Sequence, residues 1–175
     1  NMADARGFTA GAGVIMDVET GELLALTNYP EYDSNELIPH ATSSTKLPIY
    51  FKDKRQPFLN RATHGLYAPG SVVKPIIALA ALEEKIIAPE KQILSTGELR
   101  LPNPYNPKQD SVFKDWKAHG LVDMRQAIAV SSDVYFYEIS GGFKSQRGLG
   151  IEKINAYSRL FGLAEKTGII LGGEP

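Results

Sequence analysis

Apolar and polar positions follow different periods along the chain. Residues 11–28 carry apolar positions on both sides of a polar stretch from Asp17 to Glu22, in which Gly21 can take φ > 0. That pattern predicts an antiparallel hairpin. Residues 29–58 scatter Pro, Ser, Thr and Asp with weak periodicity, predicting a long surface loop with short helical pieces. Residues 71–85 give the strongest helix: Val72, Val73, Ile76, Ile77, Leu79, Ala80, Ala81 and Leu82 are apolar nearly all round, the pattern of a centrally buried helix. Pro69-Gly70 forms a turn before it, and Pro75 suits only a first helical turn, so the helix starts close to Ser71. Residues 86–114, rich in Pro, Asn and Gly, predict turns and one short strand at Glu98–Leu101. Residues 121–140 predict two helices, the first from near Asp123, separated by the polar junction Ser131-Ser132-Asp133. The aromatic run Tyr135-Phe136-Tyr137 belongs to the core on the second. Ile151, Ile154, Tyr157, Leu160 and Phe161 share one face of a helix over 150–161, with Gly162 as its C-terminal stop.

A length of 175 residues, 43% apolar and 22% charged, fits one globular domain over residues 1–175. Nineteen Lys+Arg against 20 Asp+Glu leave a net charge of -1, which disfavours a nucleic-acid partner. No apolar run approaches the ~18–20 residues of a membrane span, and the start carries no signal-peptide pattern. With no Cys, disulfides, thiolate catalysis and cysteine zinc sites are excluded. The opening Asn1-Met2-Ala3 and the turn signal Gly172-Gly173-Glu174-Pro175 lead us to expect a piece of a longer protein.

Two clusters could do chemistry. Ser71 and Lys74 stand three residues apart at a helix start, so hydroxyl and amine share a face. A Ser hydroxyl needs a neighbour to take its proton, and a Lys can do so where burial lowers its pKa. Lys74 is also the only Lys, Arg, Asp or Glu between Arg61 and Glu83, and an isolated charge in an apolar segment needs a partner or a purpose. Ser131-Ser132-Asp133 is the second cluster. It reads most simply as a cap for the helix from Val134, and alternatively as a hydroxyl and a carboxylate projecting into a cleft. Lys166-Thr167-Gly168 directly follows the stop at Gly162 and is read as a post-helix turn. His40 and His64 are read as surface or structural residues. Trp116 could line a cleft, but packing is the plainer role.

In combination these segments resemble a known family. Leu59-Asn60-Arg61-Ala62 and Gly65 through Ser71-Val72-Val73-Lys74-Pro75 resemble the active-serine region of class B penicillin-binding transpeptidases. Gly11–Pro30 resembles their entry strands. Phe113–Lys117, His119-Gly120, Val122-Asp123, Ala127-Ile128 and Asp133–Tyr137 resemble the approach to their second motif. Ser-x-Asp in that motif, with Phe161-Gly162-Leu163 and Thr167-Gly168-Ile169, is similar to the elongation-type subgroup, penicillin-binding protein 2.

The resemblance implies a mixed α/β transpeptidase fold, an antiparallel sheet flanked by helices with the Ser71 helix central. It also implies that the strand bearing the third family motif lies outside this chain, so that the fragment alone is incomplete. The implied activity is a D,D-transpeptidase that crosslinks peptidoglycan stem peptides outside the cytoplasmic membrane. Ser71 would be the nucleophile on D-Ala-D-Ala, Lys74 the base that takes its proton, and Ser131 the proton carrier to the leaving amine. Asp133 would hold that network and touch substrate, with Trp116 a further substrate contact. Implied partners are stem peptides, β-lactams that acylate Ser71 and, through the whole protein, the membrane proteins of the elongation machinery. No cofactor is implied. Some relatives bind a structural zinc beside the second motif; Asp115 and His119 would match two ligands, but Ser132 stands in place of a Cys and Ser95 in place of an acid, so no metal is expected. The alternatives are a class D-like β-lactam hydrolase or sensor, against which Asp133 argues, and a non-enzymatic cell-wall scaffold, against which the Ser71, Lys74 and Ser131 set argues.

Overall fold

The structure is a computed structural model that describes residues 2–37 and 46–171. The chain divides into two compact units, residues 1–68 with 166–175 and residues 69–165. His40 and the final Gly172–Pro175 turn signal lie outside the described residues.

In the first unit a short helix α1 (Met2–Ala5) precedes the expected hairpin, β1 (Gly11–Met16) against β2 (Leu23–Tyr29), antiparallel with Val14 opposite Leu26 and a bulge at Ile15/Met16. The Asp17 carboxylate accepts the N–H groups of Glu19 and Thr20, both at 2.8 Å, and fixes the turn. Among the described residues, the stretch after β2 holds short pieces, as expected: a 3-10 turn at Ser34–Leu37 and α2 (Leu47–Lys52). Helix α3 (Arg61–His64) is capped by Asn60, and the Arg61 N–H donates to the Asn28 side chain of β2 at 3.0 Å. The buried Arg61 guanidinium donates to the carbonyls of Arg55, Gln56 and Leu59. His64 is exposed and paired with the Thr63 hydroxyl.

The second unit is built around a 3-10 turn, Gly70–Val73, running into α4 (Lys74–Glu83). Pro75 falls in the first turn, where its missing N–H has no intrahelical partner to lose. Three short strands beyond the one expected appear here. β3 (Ile93–Ser95) pairs with β6 (Gly120–Val122), and β4 (Glu98–Pro102) pairs with β5 (Asp110–Lys114), both antiparallel. Among the described residues the sheet structure is therefore three two-stranded ribbons. Helices α5 (Met124–Ala129) and α6 (Asp133–Gly141) meet at the expected polar junction, and α7 (Ile151–Leu160) follows. Asp123 caps α5 in a reciprocal box with Gln126.

The core of this unit gathers Ala78, Ala80 and Ala81 of α4, Ile93, Val122, Met124 and Ala127, and Tyr135, Phe136 and Ile139 of α6. Burying Ile139 completely is worth about 1.5–3 kcal/mol. Two expectations are corrected. Helix α4 is not buried all round: it packs through its alanines, whereas Val72 just before it is 76% exposed and Leu79 and Leu82 are also exposed. The α7 face is divided, with Ile154 and Tyr157 packed on the core and Ile151, Leu160 and Phe161 exposed. In both cases the apolar arc is wider than the neighbour that covers it.

Candidate active site

Ser71 sits in the 3-10 turn and Lys74 begins α4. With three residues per turn, positions i and i+3 of a 3-10 helix are eclipsed, so the two side chains leave the same side. Ser71 is exposed, while Lys74 is 7% exposed.

The second cluster comes from the end of α5. The Ser131 N–H bonds back to the Ile128 carbonyl at 3.1 Å, and the Ser132 N–H to the Ala127 carbonyl at 2.9 Å. These two bonds make a Schellman turn, whose first residue beyond the cap must be left-handed. Ser131 occupies that place with φ 54°. The same turn closes α7, where the left-handed place is taken by Gly162. Glycine is the usual occupant; at residue 131 the chain keeps a side chain there at a cost of about 1–2 kcal/mol. Ser132 then caps α6 by accepting the Tyr135 N–H, and Asp133 is the first helical residue. The triplet divides its roles: Ser132 caps α6, while Ser131 and Asp133 accept from Lys74.

Lys74 Nζ donates to the Ser131 carbonyl at 2.8 Å, Ser131 Oγ at 3.0 Å and Asp133 Oδ1 at 2.6 Å. Three oxygens around a primary amine match the three donors of an ammonium. The Phe136 ring lies beneath, 5.6 Å from Nζ to its centroid. Ser131 Oγ donates to Ser71 Oγ at 2.9 Å. Ser71, Ser131, Lys74 and Asp133 thus form one chain of hydrogen bonds, in which Ser131 stands between the Ser71 hydroxyl and the Lys74 amine.

Beside this chain lies a second network that the spacing of residues did not reveal except as two would-be zinc ligands. The Asp115 side chain is fully buried, and its Oδ2 accepts from Ser95 Oγ at 3.2 Å, Ser132 Oγ at 3.0 Å and the Val134 N–H at 3.0 Å. Its Oδ1 accepts the Trp116 N–H at 2.8 Å. Burial pushes the Asp115 carboxyl up, but the Val134 N–H, the Ser132 hydroxyl and the Trp116 N–H together outweigh it and hold the pKa below the ordinary carboxylate value. His119 Nε2 is buried 3.5 Å from Asp115 Oδ1, without a hydrogen-bond partner among the described residues. An orphaned imidazole nitrogen facing a carboxylate invites a metal. The donor set does not fit a structural zinc, which takes four nitrogen, thiolate or carboxylate ligands. Here Ser95 and Ser132 bring neutral hydroxyls, and Oδ2 already accepts three donors.

Trp116 corrects the packing expectation. It is 62% exposed, its indole N–H donates to the Val130 carbonyl at 3.1 Å, and Lys117 Nζ lies 4.5 Å from its ring centroid. Lys166-Thr167-Gly168 follows the α7 stop in irregular chain, on no strand of the described residues.

The family profile described as penicillin binding protein transpeptidase domain matches residues 11–175. The peptidoglycan D,D-transpeptidase MrdA of Haemophilus influenzae is 37% identical over 166 residues, covering 94% of this chain and 24% of that protein. The chain thus spans about a quarter of the length of the curated relatives it matches. Among solved structures, Pseudomonas aeruginosa PBP2 in complex with WCK 5153 matches with a TM-score of 0.75 at 30% identity, covering 95% of this chain and 35% of that one. The complex between Helicobacter pylori PBP2 and MreC matches with a TM-score of 0.74 at 34% identity, covering 91% and 28%. The described architecture is therefore the mixed α/β fold of these transpeptidases.

Proposed function

We propose, for a chain that belongs to the penicillin-binding protein transpeptidase family, that it supplies the nucleophile and proton relay of a peptidoglycan D,D-transpeptidase. The observation that carries this reading is the hydrogen-bonded series Ser71, Ser131, Lys74 and Asp133. Ser71 Oγ attacks the carbonyl of the penultimate D-Ala of a stem peptide. The C–N bond to the terminal D-Ala breaks, and D-Ala leaves with a proton. The amine of a second stem peptide then resolves the ester and restores Ser71.

The hydrogen bonds support the following proton path. The hydrogen bonds of Lys74 go to Ser131 and Asp133, and that of Ser71 to Ser131. The attack needs the series to run the other way: where Lys74 enters as the free amine and the two hydroxyls are turned, Ser71 gives its proton to Ser131 and Ser131 gives its own to Lys74, which becomes the ammonium that donates to Ser131 and Asp133. The return step delivers a proton through Ser131 to the leaving amine. Asp133 stabilises the ammonium at 2.6 Å. This differs from a direct transfer between Ser71 and Lys74 in that removing Ser131 interrupts both directions. In this reading Trp116 is a further contact for the stem peptide, supported by its exposure and its bond to the residue before Ser131.

The H. influenzae relative is named a peptidoglycan D,D-transpeptidase, a PBP2 relative is solved with MreC, and another structural relative belongs to a peptidoglycan synthase complex. These support a place for the whole protein in the membrane-bound elongation machinery, with this domain on the periplasmic side. Among the described residues no helix is long and apolar enough to cross a membrane. We further propose that residues 1–175 contribute to a single transpeptidase domain.

The test is the intact mass of the full-length protein before and after incubation with a penicillin. A gain of one drug mass that disappears in Ser71→Ala and falls steeply in Lys74→Ala is expected. No gain with the folded full-length protein overturns the reading.

A further inference from the structure

Asp115 is used by no step of the relay, yet it is the most heavily hydrogen-bonded buried carboxylate beside it. Its four bonds join separate parts of the second unit. Ser95 comes from β3, Trp116 from the chain after β5, and Ser132 and Val134 from the start of α6. Two of these partners are the immediate neighbours of relay residues. Ser132 lies between Ser131 and Asp133, and Val134 follows Asp133. Both bonds end on one oxygen, Oδ2, each at 3.0 Å. The Trp116 contact reaches the same segment from its other end, because the Trp116 indole N–H holds the carbonyl of Val130, the residue before Ser131. The segment 130–134 is therefore gripped on both sides of Ser131 from Asp115-Trp116.

That grip matters because Ser131 is held in the left-handed region, where a serine does not rest by preference. Strain of this kind persists only where the surroundings over-determine it. A carboxylate that accepts from one hydroxyl and one N–H flanking Asp133 supplies such determination. It does so without a metal, for the reasons of donor chemistry given above: the neutral hydroxyls of Ser95 and Ser132 satisfy the carboxylate directly.

We propose that Asp115 is a metal-free positioning residue, which fixes Ser131 and Asp133 against Lys74 by holding the Ser132 hydroxyl and the Val134 N–H. The inference rests on the transpeptidase reading and adds a residue to it. Loss of the grip lets the Ser131 and Asp133 side chains drift while Ser71 and Lys74 keep their own backbone. The acylation step then slows, and initial binding of a β-lactam changes little.

The experiment measures acylation of the full-length protein by a fluorescent penicillin over a range of concentrations, separating the limiting rate constant from the half-saturating concentration. Asp115→Ala, which removes both acceptor oxygens, is expected to lower the rate constant about 10- to 100-fold, with the half-saturating concentration moved by less than about threefold. Ser132→Ala, which leaves the Val134 bond in place, should lie between the parent and Asp115→Ala, and it decides the matter if Asp115→Ala does not fold by circular dichroism. Dialysis of the parent against a chelator should leave its rate unchanged. If the parent acylates but the readable variant keeps its rate constant, the positioning role is wrong. If the chelator abolishes acylation and zinc restores it, the metal-free assignment is wrong. Failure of the parent itself to acylate would instead overturn the function on which the inference stands.

Discussion

Replacing Ser131 by glycine and, separately, by alanine divides the backbone cost of the site from its chemistry. Both variants lose Ser131 Oγ, and with it the 2.9 Å bond to Ser71 and the 3.0 Å bond from Lys74. Both keep the bonds from Lys74 to the residue-131 carbonyl at 2.8 Å and to Asp133 at 2.6 Å. They differ in the left-handed backbone at φ 54°. Alanine retains the strain of about 1–2 kcal/mol that an L side chain meets there. Glycine escapes it but gives back about 0.4–1 kcal/mol through its freer unfolded chain. The glycine variant should therefore be the more stable of the two by about 0.5–1 kcal/mol, or about 2–8 °C in melting temperature for a cooperative unit of roughly 100 residues. Thermal melting by circular dichroism measures the difference, and a labelled penicillin measures acylation of the same samples. Neither variant should acylate at more than about a hundredth of the parent rate, since a proton-transfer partner contributes roughly 10²–10⁴-fold. An alanine variant as stable as the glycine one would refute the strained Schellman turn. A glycine variant that acylates normally would refute the relay.

Asp133→Asn keeps an oxygen for Lys74 and should retain acylation within about tenfold, whereas Asp133→Ala leaves the buried amine short of a partner and should lose both acylation and about 1–3 kcal/mol of stability; penicillin labelling and chemical denaturation read the two effects. Tyr135 is fully buried, and its hydroxyl has no hydrogen-bond partner among the described residues; burial first, then the charge of Asp123, push its pKa up to about 12. A pKa raised in the folded state contributes stability that is present below pH 10 and is lost as pH rises toward 12, because the unfolded chain ionises first. Tyr135→Phe should accordingly be more stable than the parent by about 1 kcal/mol at pH 8 and gain about 1.4 kcal/mol more by pH 11, an advantage that denaturation curves at the two pH values would show or exclude. Gly148→Ala would drive a Cβ against the backbone of Gly141 and Gly142 and to 2.8 Å from the Ser140 carbonyl, so it should destabilise by about 3 kcal/mol or more, seen as a loss of soluble folded protein.

What could be read in the sequence was what depends on nearby residues. The hairpin at β1 and β2 is set by a local turn, the start of α4 by Pro69-Gly70 and Pro75, and the start of α5 by the Asp123 cap. Strands β3, β5 and β6 could not be read, because each is three to five residues long and finds its partner at a distance: Ser95 pairs with Gly120, and Leu99 with Phe113. Periodicity needs more residues than these to show itself. The bulk of Trp116 predicts packing, whereas the structure leaves it 62% exposed, held by its indole N–H on the Val130 carbonyl and by ring contacts with His119 and Lys117. The grip of Asp115 was hidden for another reason. Its partners are two hydroxyls and two backbone N–H groups, and none of these has a spacing that marks a carboxylate as their common acceptor.

The two motifs also show why equal closeness in space requires unequal spacing in sequence. Ser71 and Lys74 are three apart, and a continuous helical turn brings them to one side. Ser131 and Asp133 are two apart, and in a continuous helix of 3.6 residues per turn they would point roughly 200° away from each other. Both reach Lys74 Nζ only because α5 stops at a Schellman turn and α6 begins afresh two residues later. The residue between them must then end one helix and start the next, and Ser132 does both: its N–H closes the turn onto Ala127, and its hydroxyl caps α6. The hydroxyl that caps also donates to Asp115, so the break in the helix, the left-handed serine and the buried carboxylate are parts of one device. A Ser-x-Asp triplet inside an unbroken helix would carry the same letters and none of this geometry.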